Sequence, residues 1–163
     1  MSAADSPVSA ITLASDTELT MSRVFDAPRE LVFRAYTDPE LIMKWWGPRD
    51  TPGVVDRMDV RPGGTWRFVS NGPDGTEFAF NGVYREVMPP ERLVNTFEYE
   101  LFAGHISVET AVFEVLDAGR TRVNFHVQFD SVEDRDGMVS SGMERGWTES
   151  MAQLDELLET LQN

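Results

Sequence analysis

The sequence contains no cysteine, which excludes disulfides, thiolate nucleophiles and cysteine-based zinc sites. Histidine is scarce. His105 falls in a "FAGH" turn and His126 on a strand-like run, and the two share no metal-ligand spacing with each other or with a local carboxylate. Basic residues are also few: 14 Lys+Arg stand against 28 Asp+Glu, a formal net charge of -14 that repels phosphate backbones and anionic lipid headgroups. Nucleic acid is therefore a poor partner. No run approaches eighteen uninterrupted apolar residues, and the opening "MSAADSPVSAITLASDTE" lacks a basic region followed by an apolar stretch, so neither a membrane span nor a signal peptide is read. There is no G-x-S-x-G elbow and no Walker motif. The glycines of "PGG" and "NGPDG" precede strands rather than helix N-termini, which makes them hairpin turns and not phosphate cradles. These absences describe a cytoplasmic protein that calls for no metal and no cofactor and that fits a monomer or a homodimer equally.

With 41% apolar residues, a chain of 163 residues has enough material for one core. Residues 1–15 form a small-residue leader without periodicity, expected to be loose, and the domain is expected to span 16–163. "TELTMSRVF" alternates as a strand, with Leu19, Met21, Arg23 and Phe25 on one side. "DAPRELVFRAYTDPELIMKWWGP" then reads as two short helices, each with a proline in its first turn and the second behind an Asp38 N-cap. The second stops at Gly47-Pro48. From Val54 to Asp130, β-rich runs alternate with proline- and glycine-bearing turns, which predicts a meander of about six further strands. Its apolar faces include Trp66 and Phe68; Phe78, Phe80 and Tyr84; Leu93, Phe97 and Tyr99; and Val123, Phe125, Val127 and Phe129.

One face of such a sheet is solvated and the other must be covered. The cover is the C-terminal "SGMERGWTESMAQLDELLETLQ". Ser141 and Glu144 stand there in capping-box spacing, and Met143, Trp147, Ser150, Leu154, Leu157 and Leu161 form one helical stripe. A helix of about 20 residues reaches about 30 Å, enough to lie across a curved sheet. Small stripe residues such as Gly146 and Ser150 among large ones suggest incomplete filling. Pattern alone leaves both a filled core and an enclosed cavity open.

The order of elements, together with "SRVFDAPRELVFRAYTDPELIMKWWGP", "RPGGTWRF", "PDGTEFAFNGVYREVMPPERLVNTFEYE" and "GWTESMAQLDELLETL", resembles the SRPBCC (START-like) superfamily, in the branch related to the activator of Hsp90 ATPase. The resemblance runs from about residue 17 to 161. It implies an α+β helix-grip fold of the START/Bet v 1 type: a curved antiparallel sheet of about seven strands around a long C-terminal helix, with two short helices after the first strand. It also implies a cavity between sheet and helix, with the end of the second short helix near one mouth. The adjacent Trp45 and Trp46 point about 100° apart on a helix. Either one indole anchors that helix while the other lines the entrance, or both wedge the helix against the sheet.

The residues expected to line the cavity are Trp46, Trp66, Phe68, Phe80, Tyr84, Phe97, Trp147 and Met151. Alternation adds two charged groups to the inner side, Arg23 beside Met21 and Phe25, and Glu86 beside Phe80 and Tyr84. They read either as polar anchors for a ligand, with Glu86 a potential general base, or as a structural ion pair. Asn95 and Ser150 add neutral hydrogen-bonding groups. The function expected is binding of a small hydrophobic or aromatic ligand. The alternatives are a cyclase- or aromatase-type enzyme using the same cavity, and a stress-related or co-chaperone-like protein-interaction module. For the last, the sequence departs from the eukaryotic pattern, since the additional N-terminal domain that engages the chaperone is not read in it.

Overall fold

The computed structural model describes residues 11–162 apart from 50, 52 and 118. The expectation of a loose leader falls mostly on residues 1–10, outside the described residues. Its last part is corrected: β1 (Thr12–Ser15) pairs antiparallel with β2 (Glu18–Phe25), through partners such as Thr12 and Thr20. Ile11 packs on a buried cluster of Leu19, Met21, Val127 and Phe129. A four-residue strand of mixed small residues has too short a pattern to be read without its partner.

α1 (Arg29–Thr37) and α2 (Pro39–Ile42) follow β2. Asp38 caps α2 as expected, its carboxylate accepting from the Glu40 amide at 2.9 Å, with Pro39 in the first turn. The chain then runs through β3 (Gly53–Met58), β4 (Thr65–Asn71), β5 (Glu77–Met88), β6 (Arg92–Tyr99), β7 (Ile106–Val115) and β8 (Thr121–Gln128). The eight strands form one antiparallel sheet in the order β1-β2-β8-β7-β6-β5-β4-β3. Because β2 lies beside β8 while β3 forms the far edge, α1 and α2 must carry the chain across the sheet. Phe33 and Tyr36 of α1 both meet Phe113 of β7 edge-on, at 5.2 Å.

α3 (Val132–Ser140) and α4 (Met143–Gln162) close the fold. The capping box expected at Ser141 does not form. Ser141 ends α3, its hydroxyl donating to the Met138 carbonyl at 2.6 Å, and the Glu144 carboxylate accepts instead from the Ile11 amide at 3.0 Å. Gly142 (φ 92°) makes the break between the two helices, a left-handed conformation that glycine adopts without strain. The stripe of α4 is also rotated relative to expectation: Met151, Leu154 and Leu158 are buried, whereas Leu161 is 36% exposed.

The interior is not one continuous mass. A large cluster joins α1, α2, the central strands and the later part of α4, and the small Leu19–Met21–Val127–Phe129 cluster sits nearer α3. The space between them holds the site.

Candidate functional site

A cavity of about 290 Å³ lies between the sheet and α4, with walls drawn from both clusters. β4 supplies Trp66 and Phe68, β5 Tyr84, β6 Leu93, Asn95 and Phe97, and α4 Trp147, Ser150 and Met151. Seven of the eight residues expected to line it therefore do so. The exception is Phe80, which stacks on Tyr99 at 4.9 Å and meets Trp46 at 5.1 Å, standing behind the lining.

The two neighbouring tryptophans divide the work. Trp45 also reaches the cavity wall but is buried; its indole N–H donates to the Ala35 carbonyl at 3.0 Å and its ring packs on Tyr36 at 4.7 Å, which locks the turn after α2 to α1. Trp46 is half-buried, touches Phe68 and Phe80 edge-on and faces the cavity. The following Gly47 is tied to the closing helix: its amide donates to the Ser150 hydroxyl at 3.2 Å, and its carbonyl accepts from the Gln153 amide at 2.7 Å. The tryptophan-bearing turn thus forms one wall of the cavity and is held there by α4.

Neither charged residue expected from alternation reaches the cavity. β5 carries a bulge: Tyr84 pairs with Asn95 but Glu86 with Val94, so Arg85 is an extra residue and the inward set resumes at Val87 opposite Leu93. One inserted residue reverses the faces of all that follow. Glu86 consequently lies outside, 3.4 Å from Arg92 and 47% exposed. Arg23 does point inward and is buried, but its partner is Asp155 of α4 at 3.6 Å, and its guanidinium lies over the Phe25 ring at 5.7 Å. The Arg23–Glu86 pair does not exist.

The cavity's carboxylate is Glu109. On β7, Ser107, Glu109, Ala111 and Phe113 share the inner face, and the first three line the cavity. Glu109 keeps some surface accessible inside that space, yet protein surrounds it closely enough for burial to push its carboxyl up to about 7. Opposing this, Asn95 Nδ2 donates to Oε1 at 3.3 Å and favours the charged form. Burial, with the Glu109 charge adding to it, holds the Tyr36 hydroxyl above the usual phenol range. Burial does the same to Tyr84. The strand "ISVETAVFEV" contains the signal, because its alternation places Glu109 with Ala111 and Phe113. It was missed because serine and glutamate at two of the four inner positions make that face look like the solvated one.

The Asn95 amide also donates to the Thr96 carbonyl at 3.0 Å. The two histidines stay outside the cavity, His105 with Asp134 and His126 with Glu18, each at 2.8 Å. Among the described residues, no three His, Asp or Glu side chains gather as a metal site. No helix among them is long and apolar enough to cross a membrane.

A sheet gripping a long C-terminal helix around an aromatic cavity defines a helix-grip domain of the SRPBCC class. Residues 26–159 match the model of the activator of Hsp90 ATPase homolog 1-like protein family, and the chain belongs to that family. Among solved structures it is similar to a protein from Rhodobacter sphaeroides, at 28% identity over 93% of this chain and 98% of that one, with a TM-score of 0.86. Protein Ms6760 from Mycobacterium smegmatis is similar at 29% identity over 93% and 97% of the two chains, with a TM-score of 0.82. Protein NE0264 from Nitrosomonas europaea gives 28% identity over 91% and 97%, with a TM-score of 0.79. No curated protein matches the chain.

Proposed function

We propose that this protein binds a small hydrophobic or aromatic molecule between the sheet and α4, with Glu109, Asn95 and Tyr84 meeting the ligand's polar group. The cavity carries this reading. Protein interiors normally leave few voids larger than a water molecule, and a space of about 290 Å³ walled by Trp46, Trp66, Phe97, Trp147 and Met151 departs from that rule. Its size is near the lower end for small-molecule sites, roughly 300 Å³ and upward, and its few polar groups converge as such sites require. The acidic net charge of -14 supports a protein that works free of nucleic acid and anionic membrane. Native mass spectrometry of the protein purified from its own host tests the reading. A small molecule that travels with the wild type and is lost on Trp147→Ala supports it; apoprotein alone, together with no thermal shift from any apolar compound, sinks it.

Glu109 also favours the enzymatic alternative. A carboxyl poised near neutrality in an apolar cavity has the proton affinity that a general base requires. On this reading Glu109→Gln retains ligand binding and abolishes turnover, whereas a variant that still turns over substrate excludes Glu109 as the base.

A further inference from the structure

The cavity has a sign. Among the described residues that line it, Glu109 is the one formally charged side chain; no arginine, lysine or histidine faces the space. The other polar side chains turned toward it are neutral: Tyr36 from α1, Tyr84 from β5, Asn95 from β6, Ser107 from β7 and Ser150 from α4. Arg23, the buried cation nearest in kind, is engaged by Asp155. Glu109 itself has one protein donor among the described residues, Asn95 at 3.3 Å, although a carboxylate has about four acceptor sites. Most of its hydrogen-bonding capacity is left for an occupant.

We propose that the cavity selects its ligand by charge, taking an apolar molecule that carries a protonated amine and rejecting anionic amphiphiles such as fatty acids. This deepens the binding reading above and rests on it. An anionic ligand would be placed beside Glu109 with no countercharge in the walls, which is strongly unfavourable where water is scarce. An ammonium group supplies the countercharge and the donors that the fold leaves out. The indole and phenol faces of Trp46, Trp66, Tyr84 and Trp147 reinforce the choice, since aromatic faces attract cations. Burial, against the opposing Asn95 hydrogen bond, holds the Glu109 carboxyl up at about 7, and a bound cation would draw it back toward the ionised form.

The test uses the full chain and three probes with one apolar body: naphthylethylamine, naphthylethanol and naphthylacetate, titrated by calorimetry at pH 8. The amine should bind tighter than the alcohol by roughly ten- to a hundredfold, the range for a hydrogen bond to a charged group, and the acetate should give no detectable heat. In Glu109→Gln the ratio of amine to alcohol affinity should fall to about one, and this ratio is the readout, not the alcohol's own affinity. The alcohol titration also reports that the variant has kept its cavity. At pH 6, below the value of about 7 to which burial raises the Glu109 carboxyl, the wild type's preference for the amine should shrink by up to about tenfold, because the amine must then bind with loss of the Glu109 proton. If the alcohol binds and the amine binds no better, or if the amine keeps its advantage in Glu109→Gln, charge selection is wrong while the cavity reading survives. Tightest binding by the acetate would likewise overturn it. If none of the three binds, charge selection falls, and the binding reading is then decided by the native mass spectrometry and thermal shifts described above.

Discussion

The Asn95 amide on β6 donates to the Glu109 carboxylate on β7 across 3.3 Å, in the wall of the cavity. The two residues are direct register partners, so the contact is fixed by strand pairing and not by side-chain reach. It is too weak to offset the burial of a charge. The folded protein therefore holds the Glu109 proton to about pH 7, against 4.5 for an unperturbed glutamate.

This sets a pH dependence. Between pH 4.5 and about 7 the native state binds more protons at Glu109 than the unfolded chain does, so the contribution of this residue to stability falls as pH rises through that window and levels off above it. The loss is on the order of 3 kcal/mol. Glu109→Gln removes the titration, so the variant should be the more stable protein at pH 8 and should lose that advantage by pH 4.5. Urea unfolding of both proteins at several pH values measures the difference, and parallel stability curves would show that Glu109 is not buried as described.

Arg23 and Asp155 should be coupled, and Arg23 and Glu86 should not. Because Asp155 is 52% exposed, the Arg23–Asp155 coupling belongs to the surface range, below about 1 kcal/mol. A double-mutant cycle on Arg23 and Glu86 should be additive within about 0.5 kcal/mol. Coupling above that limit would mean that the β5 bulge is misplaced.

The two tryptophans should separate stability from binding. Trp45→Phe removes the hydrogen bond to Ala35 and leaves a gap in a packed contact, a cost of about 2 kcal/mol. Trp46→Phe keeps an aromatic ring at a half-buried position and should change stability by less than about 1 kcal/mol, while altering the affinity of a neutral apolar dye such as Nile red. Melting curves with and without dye distinguish them; equal destabilisation of the two variants would deny the division.

Glycine-to-alanine changes probe close packing and empty space in turn. At Gly82 an added Cβ would stand 1.9 Å from the Thr96 carbonyl oxygen and 2.5 Å from the Trp66 indole nitrogen. Gly82→Ala should destabilise by about 3 kcal/mol or prevent folding. At Gly146, in α4 and on the cavity wall, the added carbon meets nothing within 4 Å. Gly146→Ala should therefore stabilise by roughly 0.5–1 kcal/mol through helix propensity. Thermal or urea denaturation decides both, and a destabilised Gly146→Ala would indicate that the space is filled.

The sequence by itself determined the order of elements from β2 to β8 and the closing α4, though not β1 or α3, together with the Asp38 cap, the inward faces of β2, β4 and β8, and most of the aromatic lining. These follow from local periodicity and turn chemistry, which the chain carries wherever it goes. It could not determine the polar content of the cavity. One bulge residue, Arg85, moved Glu86 outside, and a bulge is fixed by pairing with the neighbouring strand and not by the composition of its own. Glu109 was masked because a polar residue on an inner face carries the same letter as one in solvent; only the tertiary walls around it, Tyr36 of α1 among them, made it a buried carboxylate. The capping box failed for a related reason: Glu144 found the Ile11 amide, 133 residues away in the chain, once β1 had paired with β2. The void itself lies where the helices meet the sheet along two separate clusters, the larger including α2 and the later part of α4 and the smaller packed by α3 and the start of α4, a relation between distant surfaces that no local pattern encodes.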